Sequence, residues 1–227
     1  REQGLLAAIR DYRASPGNRA EFWRECGLPE SKAGETHISF FAYENAAIPE
    51  LFEAWSAQSE PIRCLMPEGR PVSQAARFFG AASAHAGDSL HRGALTVEIL
   101  PFLDQDRYDR LLWSCDVNFT RGEDSFTRAF WTGAPLVWQA YRQEHEAHWP
   151  KIEAVLTLFT HGLEAGDAQA LRELWRAWNR EAGAGEAWQA FWNARARLRA
   201  HLDGFIERVA HLGDLADNLM HFCQEKL

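Results

Sequence analysis

Between residues 36 and 141 the chain alternates five short apolar runs with four segments of helical spacing, and this alternation limits its possible folds more than any other feature. The runs are THISFFAYEN, PIRCLMPEG, GALTVEILPF, SCDVNF and APLVWQAY, at 36–45, 61–69, 93–102, 114–119 and 134–141. Each is short, apolar and bounded by turn-forming residues, as a buried strand requires. The segments between them (AIPELFEAWSAQ, VSQAARFFG, DQDRYDRLLW and DSFTRAFWTG) space their apolar residues as a helix face does, for example Ile48, Leu51, Phe52 and Trp55. Strands alternating with helices predict an α/β fold, a parallel sheet with right-handed crossovers and flanking helices. Residues 1–30 read as helix interrupted around Ser15 to Asn18, and 145–227 read as almost wholly helical, a tail on the same domain.

Composition narrows the function. Lys and Arg number 24 against 32 Asp and Glu, a net charge of −8, which argues against a nucleic-acid or membrane-surface partner. A local basic pocket for a small anion is still compatible with that balance. Cys26, Cys64, Cys115 and Cys223 are far apart and form no CxxC pair, so free thiols in a reducing cytoplasm are expected rather than zinc or disulfides. No apolar run is long enough for a membrane span, and no signal peptide opens the chain. The opening REQGLLAAIRDYR lacks an initiator Met and reads as a helix entering from a preceding domain.

The stretch CDVNFTRGEDSFTRAFWTGAP, Cys115 to Pro135, passes from strand to helix through a cation, a glycine, two carboxylates and a hydroxyl. Ligands of open parallel sheets bind beyond the carboxyl ends of the strands. At that edge the first N–H groups of the next helix favour an anion. Gly122 permits a tight turn, Ser125 offers a hydroxyl, and Arg121 offers a forked cation that matches phosphate oxygens. Glu123 and Asp124 would repel phosphate and suit sugar hydroxyls or a developing positive charge. Carboxylates in a first helical turn are equally the usual capping and dipole residues. The segment is neither a P-loop nor a GxGxxG fingerprint. Phe40, Phe41 and Tyr43 at the end of the first run, with Phe102, Gln105 and Tyr108 after the third, form a second cluster. Phe102 and Tyr108 could sandwich a flat base whose edge Gln105 reads, although each aromatic taken singly also suits a core. His85 and His91 flank a loop and are too loosely spaced for a metal pair. The run from Arg195 to His201 reads as a solvated helix face.

The segments FFAYEN, LPFLDQDRYDRLLW and DVNFTRGEDSFTRAFWTGAPLVWQAY resemble the protein-arginine rhamnosyltransferases that modify bacterial translation elongation factor P. The resemblance runs from near Thr36 to about Gln143, with NFTRGEDSFTRAFW its most specific part, and the helical tail is in keeping. It implies the C-terminal, Rossmann-like half of an inverting GT-B glycosyltransferase, with a nucleotide-sugar core at 31–144. The reaction implied is transfer of rhamnose from dTDP-β-L-rhamnose to an arginine side chain, without a metal or other cofactor. Tyr43, Phe102 and Tyr108 would line the thymidine pocket, with Gln105 on the base and Phe41 nearby. Arg121, Ser125 and Tyr141 would hold the diphosphate, Asp124 would contact the donor, and Glu123 would lie nearest the chemistry. Tyr108 departs from the family, where Phe is common at this place. The family's paired aspartates belong to a glycine-containing loop of its first domain, and no such loop is visible here, so this chain alone is expected to be inactive. Elongation factor P would bind mainly to that first domain. A different nucleotide-sugar transferase and a non-catalytic nucleotide-binding module are the alternatives.

Overall fold

The computed structural model describes residues 2–213 and 215–226. Six strands form one sheet: β1 (Thr36–Phe40), β2 (Ile62–Pro67), β3 (Ser89–Arg92), β4 (Leu95–Leu100), β5 (Val117–Arg121) and β6 (Leu136–Gln139). Their order is β3-β4-β2-β1-β5-β6. Every pairing is parallel except that of β3 with β4. The antiparallel edge corrects the sequence reading of residues 86–90 as a loop flanked by His85 and His91, since Ser89–Arg92 is a strand. His91 belongs to this strand and its Nδ1 lies 3.1 Å from Thr96 Oγ1. The exposed SLHR has no apolar alternation to announce it.

Chain order reverses direction at β1: the chain moves outward through β2 to β4, then returns to place β5 on the other side. That reversal is the topological switch point of a doubly wound sheet, where a crevice opens between the carboxyl ends of β1 and β5.

Strand alternation sends β1 side chains to two different layers. Ile38 and Phe40 join the main core, where Trp55 of α3 (Ile48–Ser56), Trp178 of α8 (Ala165–Arg180) and Trp188 of α9 (Ala184–Ala210) converge. Phe40 lies 5.8 Å from Trp55 and 5.7 Å from Trp178, both edge-on. Three helices after residue 145, α7 (Trp149–Thr160), α8 and α9, therefore share the sheet's core rather than forming a separate one. On the opposite face, Phe22 and Trp23 of α2 (Pro16–Glu25) and Leu111 of α5 (Gln105–Ser114) pack on Leu65 and Leu100. Buried polar groups there pair with each other: the Ser39 hydroxyl donates to Asn118 Oδ1 at 2.6 Å. Ile9 of α1 (Glu2–Ala14) packs with Trp131 and Ile206, so the first helix docks against α9 and the residues that lead into β6.

The short α4 (Val72–Phe78) and α6 (Asp124–Phe130) complete the crossovers, a 3-10 turn spans Glu144–Glu146, and α10 (Leu215–Lys226) ends the described chain. Cysteines 26, 64, 115 and 223 are all unpaired. Burial pushes the thiols of Cys64 and Cys115 up, which makes them inert core groups. The Arg195–His201 face is less free than expected: Arg197 makes a two-pronged pair with Asp167, and Leu198 is buried. Among the described residues no helix is long and apolar enough to cross a membrane.

Candidate functional site

The strand β5 ends later than the apolar run suggests, because pairing with β6 continues to Arg121 opposite Gln139. Arg121 is thus the last strand residue and not part of the following turn. Gly122 makes the turn at φ +62, where a Cβ would also come within 3.3 Å of the Tyr43 hydroxyl. Both backbone groups of Gly122 are tied down: its N–H donates to the Gln139 carbonyl at 3.1 Å, and its carbonyl accepts from Trp138 Nε1 at 2.5 Å. The Gln139 side chain accepts from the Tyr43 N–H at 2.9 Å, joining the ends of β6 and β1 across β5.

This arrangement holds Arg121 in a stack. Its guanidinium carbon lies 4.4 Å from the Phe41 ring centre and 4.6 Å from that of Tyr43. Among the described residues no carboxylate pairs with it, and its buried Nε has no hydrogen-bond partner. A cation fixed by two aromatic faces and left without an anion is prepared for one from outside.

An open cleft of about 480 Å³ lies against it, lined by Phe41, Tyr43, Phe102, Gln105, Tyr108, Arg121, Glu123, Asp124 and Ser125. The residues assigned to the donor site by the resemblance are all on this wall except Tyr141, which rests edge-on against Tyr43 at 5.9 Å. Phe40, grouped in the sequence with Phe41 and Tyr43, faces the other way and is buried in the main core. Sequence reasoning missed Pro67, Glu68 and Leu103, which also line it. Pro67 ends β2 and Glu68 follows it, and neither carries a local signal; only the strand order brings them beside the cleft.

The individual roles differ in what the fold leaves free. Ser125 is buried and its hydroxyl is engaged locally, donating to the Arg121 carbonyl and accepting from the Arg121 N–H at 3.2 Å. Asp124 is exposed but pairs with Arg128 at 3.0 Å, and Arg128 in turn grips both oxygens of Asp109 at 2.8 and 3.0 Å. Burial raises the Asp109 carboxyl even though Arg128 pulls it the other way. With its amide oxygen turned toward the same guanidinium, Gln105 accepts from Arg128 Nη2 at 2.9 Å. Glu123 stands at the N-cap of α6, yet its side chain makes no capping bond. It is 70% exposed and its nearest cation is Lys151 Nζ at 3.9 Å, so the fold does not consume its carboxylate.

The two aromatics proposed to hold a base are unequal. Phe102 is 82% exposed and lines the cleft, so its ring is open to a ligand there. Tyr108 meets Phe41 edge-on at 5.3 Å and packs partly into the core, and its buried hydroxyl lies beside Ser125 without reaching hydrogen-bond geometry. Burial pushes that phenol well up, so it stays protonated. Phe102→Ala should leave the melting temperature unchanged while weakening nucleotide binding about tenfold, from a stacking contribution of roughly 1–3 kcal/mol. Melting curves and calorimetry on the same sample check this, and unchanged affinity would place the base elsewhere. Among the described residues no group of three His, Cys, Asp or Glu side chains is arranged to hold a metal ion.

Known proteins share this architecture. The model of the family described as Elongation-Factor P (EF-P) rhamnosyltransferase EarP matches residues 1–224. The protein-arginine rhamnosyltransferase of Pseudomonas putida is 41% identical over 100% of the chain and 60% of its own length. That of Pseudomonas aeruginosa is 43% identical over 98% of the chain and 59% of its own length. A solved structure described as "Structural basis for EarP-mediated arginine glycosylation of translation elongation factor EF-P" covers 100% of the chain and 72% of its own, with a TM-score of 0.89 and 39% identity. The chain spans about 60% of the length of the curated relatives it matches. With sequence and backbone both matching over nearly every residue, the chain belongs to the EF-P rhamnosyltransferase (EarP) family.

Proposed function

We propose that this chain is the donor-binding half of an inverting GT-B glycosyltransferase that moves rhamnose from dTDP-β-L-rhamnose to an arginine side chain of translation elongation factor P, in the cytoplasm and without a metal. The observation that carries this reading is the unpaired Arg121 guanidinium clamped between Phe41 and Tyr43 at the switch point of the sheet. The base would lie at the Phe102–Tyr108 end, the diphosphate at Arg121 with Tyr141 and the turn after β5, and the sugar near Glu123 and Asp124.

The chemistry needs two electrostatic services. The departing diphosphate must be neutralised, and Arg121 with the backbone donors of the following turn supplies that charge. The sugar passes through an oxocarbenium-like state, which the exposed carboxylate of Glu123 stabilises while orienting the incoming cation. The acceptor arginine has a pKa above 12, so alignment between carboxylates matters more than a simple base. Ser125 takes part once its hydroxyl turns from the Arg121 carbonyl toward the phosphate. Elongation factor P would meet mainly the part of the relatives that this chain does not span.

Calorimetry with dTDP, UDP and GDP, with and without EDTA, tests the proposal. The expected result is dTDP binding to this chain that EDTA leaves unchanged. No dTDP binding would overturn the donor-site reading, and a strict Mg²⁺ requirement would overturn the metal-free account. Preference for UDP or GDP would replace the donor with another nucleotide sugar.

A further inference from the structure

Glu68 is a carboxylate on the wall of a cleft whose proposed ligand is an anion, and the phosphate-binding end does not explain it. Its backbone is fixed: the Glu68 N–H donates to the Leu100 carbonyl at 2.9 Å, which prolongs the β2–β4 ladder by one residue. Its Oε1 accepts from the Ala86 N–H at 3.1 Å. Among the described residues no Lys or Arg pairs with it. One oxygen is therefore anchored, and the carboxylate of this cleft-lining residue keeps further acceptor capacity.

Strand order says what that capacity faces. Arg121 ends β5, and Glu68 follows β2, with β1 between them. Two strand spacings separate them by roughly 10 Å. Phe102 and Leu103 follow β4, the next strand beyond β2, so Glu68 belongs to the aromatic end of the cleft. An acceptor with full negative charge there is compatible with a neutral hydrogen-bond donor and not with phosphate. We propose that Glu68 selects the nucleoside of the donor by accepting a hydrogen bond from it, either from the imide N–H of the pyrimidine or from a sugar hydroxyl. This rests on the donor-site reading above.

Glu68→Gln is the informative variant, because its amide oxygen can still accept from Ala86 while its NH₂ presents a donor where the cleft had an acceptor. Three probes separate the sources: dTDP, dCDP, which lacks the imide N–H, and 2′,3′-dideoxythymidine diphosphate, which lacks the 3′-hydroxyl. The expected result is an unchanged melting temperature and about tenfold weaker dTDP binding, the loss of one charge-assisted contact. The wild-type advantage over the variant should vanish for dCDP if the base is read, or for the dideoxy compound if the sugar is read. Equal dTDP affinity of variant and wild type overturns the inference, and so does a uniform loss across all three probes with a lowered melting temperature. Failure of the wild type itself to bind dTDP would instead overturn the donor-site reading.

Discussion

Arg121→Ala should weaken dTDP and dTDP-rhamnose alike by about a hundredfold, since one or two charge-assisted contacts of ~1.5–3 kcal/mol each are lost. Both ligands should suffer equally because the contacts go to the diphosphate they share. The melting temperature should move little. Arg121 pairs with no carboxylate among the described residues, and its stacking on Phe41 and Tyr43 is the main contact the fold loses. Arg121→Lys should recover only part of the affinity, because an ammonium keeps the charge but neither fills the planar gap between two rings nor forks to two oxygens. Calorimetry on each variant, with a melting curve for each, reads this directly. Binding that survives Arg121→Ala with the fold intact would remove the diphosphate from this end of the cleft.

The site was legible where local chemistry and strand ends coincide. A cation, a glycine and carboxylates directly after an apolar run could be placed at the sheet's carboxyl edge, and the structure puts Arg121, Glu123, Asp124 and Ser125 on one cleft. What the residues could not reveal is partnership across the chain. Arg128 is ordinary helix surface in sequence, yet it gathers Asp109 and Gln105 of α5 with Asp124 of its own helix α6. Arg19, His37 and Asp116 likewise meet at the opposite end of the sheet, where Arg19 reaches both the His37 ring and the Asp116 carboxylate. Burial acts against ionisation of Asp116, but its bonds to His37 and the nearby Arg19 hold its carboxyl below the usual range. Such clusters depend on contacts between residues far apart in sequence, so no periodicity announces them. The edge strand β3 escaped for another reason: its side chains are largely exposed, and only its backbone pairing with β4 makes it a strand. Ser125 shows the converse case, a residue that lines the cleft as its position after the strand suggests but whose hydroxyl is occupied by its own turn.

Glu123→Ala should separate holding the donor from transferring the sugar. The side chain is 70% exposed, and among the described residues its ion pair is with Lys151, at 3.9 Å. An exposed pair of that kind contributes ~0–1 kcal/mol, so its loss should not unfold the chain. Removing a negative charge beside the diphosphate should leave dTDP affinity the same or slightly higher. Turnover should behave differently. Measured in the protein at the full length of its relatives, kcat should fall on the order of a hundredfold or more, because in the proposed reaction the carboxylate acts chiefly where positive charge develops. KM for dTDP-rhamnose should change much less, the pattern of an interaction made in the transition state rather than the ground state. Glu123→Gln serves as the control for shape, since it keeps the length and removes the charge; it should lose kcat nearly as severely as Ala. Asp124→Ala is the control for position, because that carboxylate is committed to Arg128 and its loss should disturb the Arg128 cluster as well as the cleft. Normal turnover in Glu123→Ala would give the carboxylate no part in the chemistry. Loss of dTDP binding together with the fold would make it a structural residue, a result at odds with a side chain that caps nothing.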